Sequence, residues 1–103
     1  MEVMELLEKA LRGYLKSNGR RLLALMDVAG QSEVCIECSA LYRYFEGGEK
    51  YPRLIDALED LFKEEAELRK RGIKLVRKGD FLGFKVSREY VARVLRGFEG
   101  REC

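Results

Sequence analysis

Residues 73–87 contain two runs rich in apolar residues on either side of Gly79-Asp80, a pair that is typical of the two-residue turn of a β-hairpin. A turn of this length fixes the register of the strands that flank it. Lys78 then lies opposite Phe81, and the pairing continues outward one residue at a time. Because side chains alternate between the faces of a strand, this register decides which of them reach solvent.

The predicted register gives the hairpin one apolar face and one basic face. The apolar face holds Ile73, Leu75, Leu82, Phe84 and Val86, with Arg77 near its rim. The basic face holds Lys74, Val76, Lys78, Phe81, Gly83 and Lys85. Cations around an exposed ring suit nucleic acid, because cations bind phosphates and a ring can stack on a base. The alternative is that the lysines only solubilise the protein and protect a strand edge.

Helices are predicted before and after this hairpin. Apolar residues recur at three- and four-residue steps in residues 2–17 and again in residues 52–71, so both segments are expected to be helices. Ser87 can cap a final helix. The core-facing residues of that helix would be Val91, Val94, Leu95 and Phe98.

The segment between the first two helices is less regular. Residues 20–30 fit either a short helix or a strand, whereas residues 34–39 alternate in the manner of a strand. Because Gly30-Gln31-Ser32 resembles a turn, we predict a first hairpin that pairs 21–29 with 34–41. The expected fold is a single α+β domain over residues 1–103. Its order is helix–hairpin–helix–hairpin–helix, with a four-stranded antiparallel sheet flanked by helices.

The charges are unevenly distributed although the net charge of the chain is only +2. Residues 1–45 hold six basic and six acidic residues, and residues 46–67 hold three basic and eight acidic ones. Residues 68–103 hold eleven basic and four acidic residues. A basic C-terminal third of this kind indicates a polyanionic partner.

Further basic and aromatic residues lie near the predicted first hairpin. Arg20 and Arg21 open it, and Tyr42-Arg43-Tyr44 follows it. If both hairpins joined one sheet, these groups could converge on the basic face; alternatively the tyrosines only cover the edge of the core. The predicted nucleic-acid contacts are therefore Lys74, Arg77, Lys78, Phe81, Lys85, Arg43, Tyr42, Tyr44, Arg20 and Arg21.

No enzymatic site is predicted. Cys35 and Cys38 form a CxxC pair, but the chain has no histidine and only Cys103 could add a further sulfur ligand, so a zinc site is not expected. A disulfide between the cysteines stays open. Phosphate-binding glycine loops and nucleophile motifs are also missing. We therefore expect a non-enzymatic protein without metal or cofactor.

The composition bears on the source and location of the protein. The chain has no Thr, Trp or His, and 37% of its residues are charged, as is typical of hyperthermophile proteins. It has no apolar run of the roughly 20 residues that a membrane span needs. The acidic N-terminus lacks the pattern of a secretory signal, so we expect a cytoplasmic protein.

The order of elements, the size, the composition and the basic aromatic hairpin resemble the ThermoDBP-related group, archaeal single-stranded DNA-binding proteins that are not OB-folds. The resemblance implies a four-stranded sheet with flanking helices. It also implies a homo-oligomer, which we expect to be a dimer, that binds single strands on a basic surface.

Residues 54–87, a helix followed by a basic hairpin, are similar to the end of a winged-helix domain. Against this, the early turns of the helix are acidic, and two predicted hairpins exceed what a winged helix needs. We therefore expect a protein that binds single-stranded DNA or RNA. The alternatives are a winged-helix transcription factor for duplex DNA and a protein-interaction or dimerisation module.

Overall fold

The computed structural model of the chain describes residues 2–47 and 49–100, with side chains for residues 3–47 and 49–97. Its helices are α1 (Glu2–Ala29), α2 (Cys38–Leu41), α3 (Leu54–Lys63), α4 (Glu65–Lys70) and α5 (Arg88–Gly100). Its strands are β1 (Glu33–Glu37), β2 (Ile73–Lys78) and β3 (Phe81–Ser87). The predicted core position Phe98 and the thiol of Cys103 lie outside the described side chains.

The sheet of the described residues has three antiparallel strands in the order β1-β3-β2, so the predicted four-stranded sheet is wrong. The predicted order of helix–hairpin–helix–hairpin–helix is also wrong, because residues 21–29 belong to α1 and are not a strand. Residues 34–41 are divided between β1 and α2. Strand β1 pairs with β3, the second strand of the later hairpin.

Helix α1 continues beyond residue 17, the predicted end of the first helix, and reaches Ala29. Leu22 is half-buried and Met26 is 2% exposed, and their four-residue spacing keeps one face of the helix apolar. Residues 20–29 are also rich in good helix formers. The helix stops at Gly30, which has a φ of 67°, and the N–H of Gln31 donates to the carbonyl of Met26 at 2.9 Å.

The helix predicted over residues 52–71 forms as the two helices α3 and α4, which meet at Glu64. The backbone there leaves helical geometry, with a φ of −105° and a ψ of 27°. The buried positions of the two helices are Leu54, Ala57, Leu58, Leu61 and Leu68. The predicted apolar stripe of Leu54, Ile55, Leu58, Leu61, Phe62 and Leu68 is therefore buried except at Phe62, which is half-buried, and Ile55, which is exposed.

The later hairpin has the predicted register. The opposed residues are Lys78 and Phe81, Val76 and Gly83, and Lys74 and Lys85. The predicted cap of the last helix is also confirmed, because Ser87 Oγ accepts a hydrogen bond from the N–H of Tyr90 at 3.0 Å. Both features are local in sequence, which is why the sequence pattern predicts them.

The helices pack on one face of the sheet, where Ile36, Ile73 and Phe84 are buried. These residues share one core cluster with buried residues from α1, α3, α4 and α5. The contributing helix residues include Leu7, Leu11, Leu61, Leu68 and Val91. The described residues therefore form one hydrophobic core, with the sheet as one layer and the helices as the other.

An ion pair fastens the end of α1 to the start of α5. Arg88 donates from Nε to Asp27 at 2.7 Å and from an Nη atom to the same carboxylate at 3.1 Å. This hydrogen-bonded guanidinium lowers the pKa of Asp27. The backbone N–H of Arg88 also donates to the carbonyl of Ser32 at 2.8 Å, so the chain just before β1 is held against the start of α5.

Replacing Met26 with Ala should lower the free energy of unfolding by about 2–3 kcal/mol, because the substitution removes buried methylene and sulfur atoms. Leu25→Ala is the matched control, since Leu25 is the adjacent residue and is 58% exposed. It should change stability by less than about 0.5 kcal/mol. Urea denaturation followed by circular dichroism measures both. Equal losses of unfolding free energy in the two variants would contradict a helix that buries Met26 and exposes Leu25.

Candidate nucleic-acid interface

The face of the sheet opposite the helices carries most of the predicted contact residues, and we call it the lysine face. Strands β2 and β3 place Lys74, Val76, Lys78, Phe81, Gly83 and Lys85 on it. Strand β1 adds Glu33, Cys35 and Glu37, which are the register partners of Ser87, Lys85 and Gly83. On this face Cys35, Glu37, Lys74 and Lys78 of the edge strands are exposed, and Glu33 and Val76 are half-buried, as are Phe81 and Lys85 of β3. The face is therefore open to solvent and mixed in charge, with three lysines against two glutamates.

The ring of Phe81 lies against the sheet at Gly83. Its Cε1 and Cζ atoms are 3.0 Å from the position that a Cβ atom of Gly83 would occupy. The carbonyl oxygen of Ile36 is 2.5 Å from that same position, so strand β1 also approaches Gly83 closely. Glycine is required here because any side chain would collide with the ring and with the backbone of β1. Phe81 is half-buried as a result and is held in place on the lysine face.

Two of the three lysines on this face have no carboxylate partner among the described residues. Lys74 Nζ lies 3.0 Å from a carboxylate oxygen of Glu33, and its side chain is 60% exposed. No described carboxylate lies within ion-pair distance of Lys78 or Lys85. An exposed pair such as that of Lys74 contributes roughly 0–1 kcal/mol, so a phosphate could replace Glu33 at little cost.

Arg77 is on the helix side of the sheet and does not join the lysines. Its register partner is Leu82, which faces the core. The guanidinium carbon of Arg77 lies 4.7 Å from the centre of the Phe62 ring in α3, which is a cation–π contact. The structure thus gives Arg77 a packing role at the junction of the hairpin with α3.

The other predicted contacts lie outside the strands of the sheet, because the first hairpin does not form. Tyr44 meets the ring of Tyr14 edge-on, with ring centres 5.8 Å apart, and it covers α1 at Gly13. Tyr42 is half-exposed and lines an apolar cavity of about 370 Å³ with Phe45, Pro52, Arg53, Leu54 and Ile55. Arg43 is exposed in the same turn. The condition for their convergence with the lysine face, a first hairpin in the same sheet, is therefore not met.

The same correction applies to the two arginines of α1. Arg20 and Arg21 were predicted to open a strand, but both lie in the middle of the helix and are exposed. Arg21 donates from an Nη atom to Asn18 Oδ1 at 2.8 Å, three residues earlier on the same helix. The structure does not bring either arginine onto the sheet.

A groove at one end of the sheet was missed by the sequence analysis, and we call it the basic groove. It lies where β2 begins and β3 ends, and it has a volume of about 480 Å³. Its charged lining residues are Arg12, Arg69, Lys70, Arg71, Arg93, Glu8 and Glu89. Gly72, Ser87, Tyr90 and Val94 complete the lining. The basic run at residues 69–71 is visible in the sequence, but its proximity to Arg12 and Arg93 depends on tertiary structure.

Glu8 contacts two of the arginines that line the basic groove. One of its carboxylate oxygens lies 2.5 Å from Arg71 Nη1, and the other lies 3.7 Å from an Nη atom of Arg12. The hydrogen bond to Glu8 raises the pKa of Arg71. Burial, followed by the charge of Glu8, raises the pKa of Tyr90 to about 12. Tyr90 is therefore neutral at ordinary pH and forms part of the groove wall.

The cysteines do not form a metal site within the part of the chain that the structure describes. No group of three or more His, Cys, Asp or Glu side chains there could hold a metal ion. Cys35 is an exposed free thiol on the lysine face, and Cys38 is a buried free thiol at the start of α2. Burial raises the pKa of the Cys38 thiol to about 11.

Comparisons with protein-family models, curated proteins and solved structures find no match to this chain. The resemblances to ThermoDBP-related proteins and to winged-helix domains therefore stay predictions. The four-stranded sheet that the first resemblance implies is contradicted by the three strands of the described residues. None of the described helices combines the length and the apolarity needed to cross a bilayer.

A thiol reagent should modify Cys35 much faster than Cys38 near neutral pH. Only the thiolate reacts, and a raised pKa leaves very little Cys38 thiolate at that pH. The rates are compared in Cys35→Ser and Cys38→Ser variants, both carrying Cys103→Ser. We expect fast labelling of the variant that retains Cys35 and slow labelling of the variant that retains Cys38. Equal rates in the folded proteins would contradict this placement of the two residues.

Proposed function

We propose that the protein is a non-enzymatic nucleic-acid-binding protein that holds a single strand of DNA or RNA on the lysine face. The observation that supports this proposal is the solvent-open sheet face that carries three lysines and a half-buried phenylalanine, with Lys78 directly opposite Phe81 in the register. Lysines there attract phosphates without regard to sequence. The ring of Phe81 offers a surface for a base, and stacking of this kind contributes roughly 1–3 kcal/mol per base.

The ring of Phe81 is ordered before any ligand arrives. Because it rests against Gly83, it loses little conformational freedom when a base stacks on its exposed side. Lys78 is its register partner across the hairpin, and the pair of Lys74 and Lys85 lies four residues further along the same face. The face therefore offers a ring for a base, one cation beside it, and two more cations for phosphates further along a single strand.

The acidic side chains of the face indicate the path of the strand. Glu33 and Glu37 both lie on β1, whereas the three lysines lie on β2 and β3. Carboxylates repel phosphates, so we expect the nucleic acid to follow the β2–β3 hairpin and to avoid the β1 edge. Lys74 would then exchange its partner Glu33 for a phosphate.

One observation favours a second candidate function, the binding of duplex DNA by a winged helix. The described residues contain one hairpin and not two, and α3 and α4 precede it directly. A second hairpin therefore no longer counts against a winged helix. The charge of the helices still does, because residues 54–70 hold six acidic and three basic side chains. Asp56 and Glu59 are exposed on α3, where they would face the phosphates of a major groove.

We expect Phe81→Ala to weaken binding of a single-stranded oligonucleotide by roughly 5- to 150-fold, the equivalent of one lost stacking contact. Lys85→Ala should reduce the slope of log affinity against log salt by about 0.7, the value for one phosphate contact on a single strand. Fluorescence anisotropy over a series of salt concentrations measures both quantities. Circular dichroism confirms that the variants fold.

The matched controls are Tyr42→Ala, which removes a half-exposed ring elsewhere, and Lys63→Ala, which removes an exposed cation from α3. Tyr42→Ala should lower the affinity for the single strand less than Phe81→Ala does. Lys63→Ala should reduce the salt slope less than Lys85→Ala does. Tighter binding to the duplex, weakened by Lys63→Ala and not by Phe81→Ala, would favour the winged-helix function. If neither nucleic acid binds at low salt, the proposal fails, and a stable self-assembled form would then favour the interaction module.

A further inference from the structure

The basic groove adjoins the lysine face through Ser87. The side chain of Ser87 is on the same side of β3 as that of Lys85, and Ser87 also lines the groove. Two residues along a strand span about 7 Å, so the groove begins a short step beyond Lys85. A strand of nucleic acid that leaves the sheet at this end would pass directly into the groove.

The cations of the groove differ in their availability. Arg71 is held between Glu8 and Glu67, Arg12 is paired with the same Glu8 at 3.7 Å, and Arg69 is paired with Glu65 at 3.4 Å. No described carboxylate lies within ion-pair distance of Lys70 or Arg93. Among the described lining residues, Lys70 and Arg93 are therefore the cations that an anion can reach without displacing a carboxylate.

The described lining of the groove offers no free ring for a base. Tyr90 is the only aromatic residue within it and is 6% exposed. The guanidinium carbon of Arg93 already lies 5.4 Å from the centre of the Tyr90 ring. A ligand in the groove would therefore meet cations and would find no surface on which a base could stack.

We propose that the basic groove binds phosphates of the same strand whose bases lie on the lysine face, with Lys70 and Arg93 as the contacting cations. This inference rests on the proposed function and extends it to a second, adjacent surface. The two surfaces contact different parts of the strand, because Phe81 stacks on a base whereas the groove binds only the phosphate backbone. Binding by the groove is accordingly independent of base identity and sensitive to salt.

A double variant, Lys70→Ala with Arg93→Ala, tests the groove. For a single-stranded oligonucleotide long enough to pass beyond the sheet, the slope of log affinity against log salt should fall by about 1.4, the value for two phosphate contacts. The matched control is Lys63→Ala with Arg96→Ala, which removes the same charge from α3 and α5 at exposed positions outside the groove lining. The control should leave the slope nearly unchanged. Shortening the oligonucleotide until it spans only the sheet should remove the difference between the groove variant and the wild type.

The outcomes separate this inference from the proposed function. If the wild type binds, Lys85→Ala weakens binding, and the groove variant matches the control, the groove is not part of the site although the lysine face is. If the groove variant and the control lower the slope equally, the effect is one of net charge and the inference is overturned. If the wild type binds no single strand at low salt, both the inference and the proposed function fail.

Discussion

The double pairing of β3 is the constraint on which the rest of the structure depends. This strand lies in the centre of the sheet and is hydrogen-bonded to both neighbours. A two-residue turn joins it to β2, whereas β1 comes from a distant part of the chain. Its inward residues Phe84 and Val86 are fully buried in the core. The same alternation that buries them directs Phe81 and Lys85 outward. The core and the candidate interface are thus two faces of one strand and share one register.

The parts of the fold that the sequence predicts are those determined by nearby residues. The hairpin register follows from the Gly79-Asp80 turn, and the cap of α5 follows from Ser87. The segment 21–29 was predicted incorrectly because its short apolar run fits a strand and a helix equally well. What decides in favour of the helix is the burial of Met26, together with the stop at Gly30. The pairing of β1 with β3 likewise joins residues about fifty positions apart, and no local pattern specifies it.

The candidate site divides in the same way. The lysine face could be predicted, because it needs only the register of one hairpin, and its lysines and ring lie where the alternation puts them. The predicted contributions of Arg20, Arg21 and Arg43 depended on a first hairpin, which residues 21–41 do not form. The basic groove could not be predicted, since Arg12 and Arg93 come from helices at opposite ends of the chain. Sequence patterns thus locate a surface built from one element more readily than one assembled from three.

The close approach at Gly83 has a consequence for the comparison of related chains. The carbonyl of Ile36 and the ring of Phe81 both occupy the space in which a side chain would lie. In a homologue, a larger residue at this position would have to coincide with a displaced first strand or with a different residue in place of the phenylalanine. The two positions should therefore covary, so that an alignment in which glycine and an aromatic residue are retained or lost together would mark which family members keep the ring on the sheet.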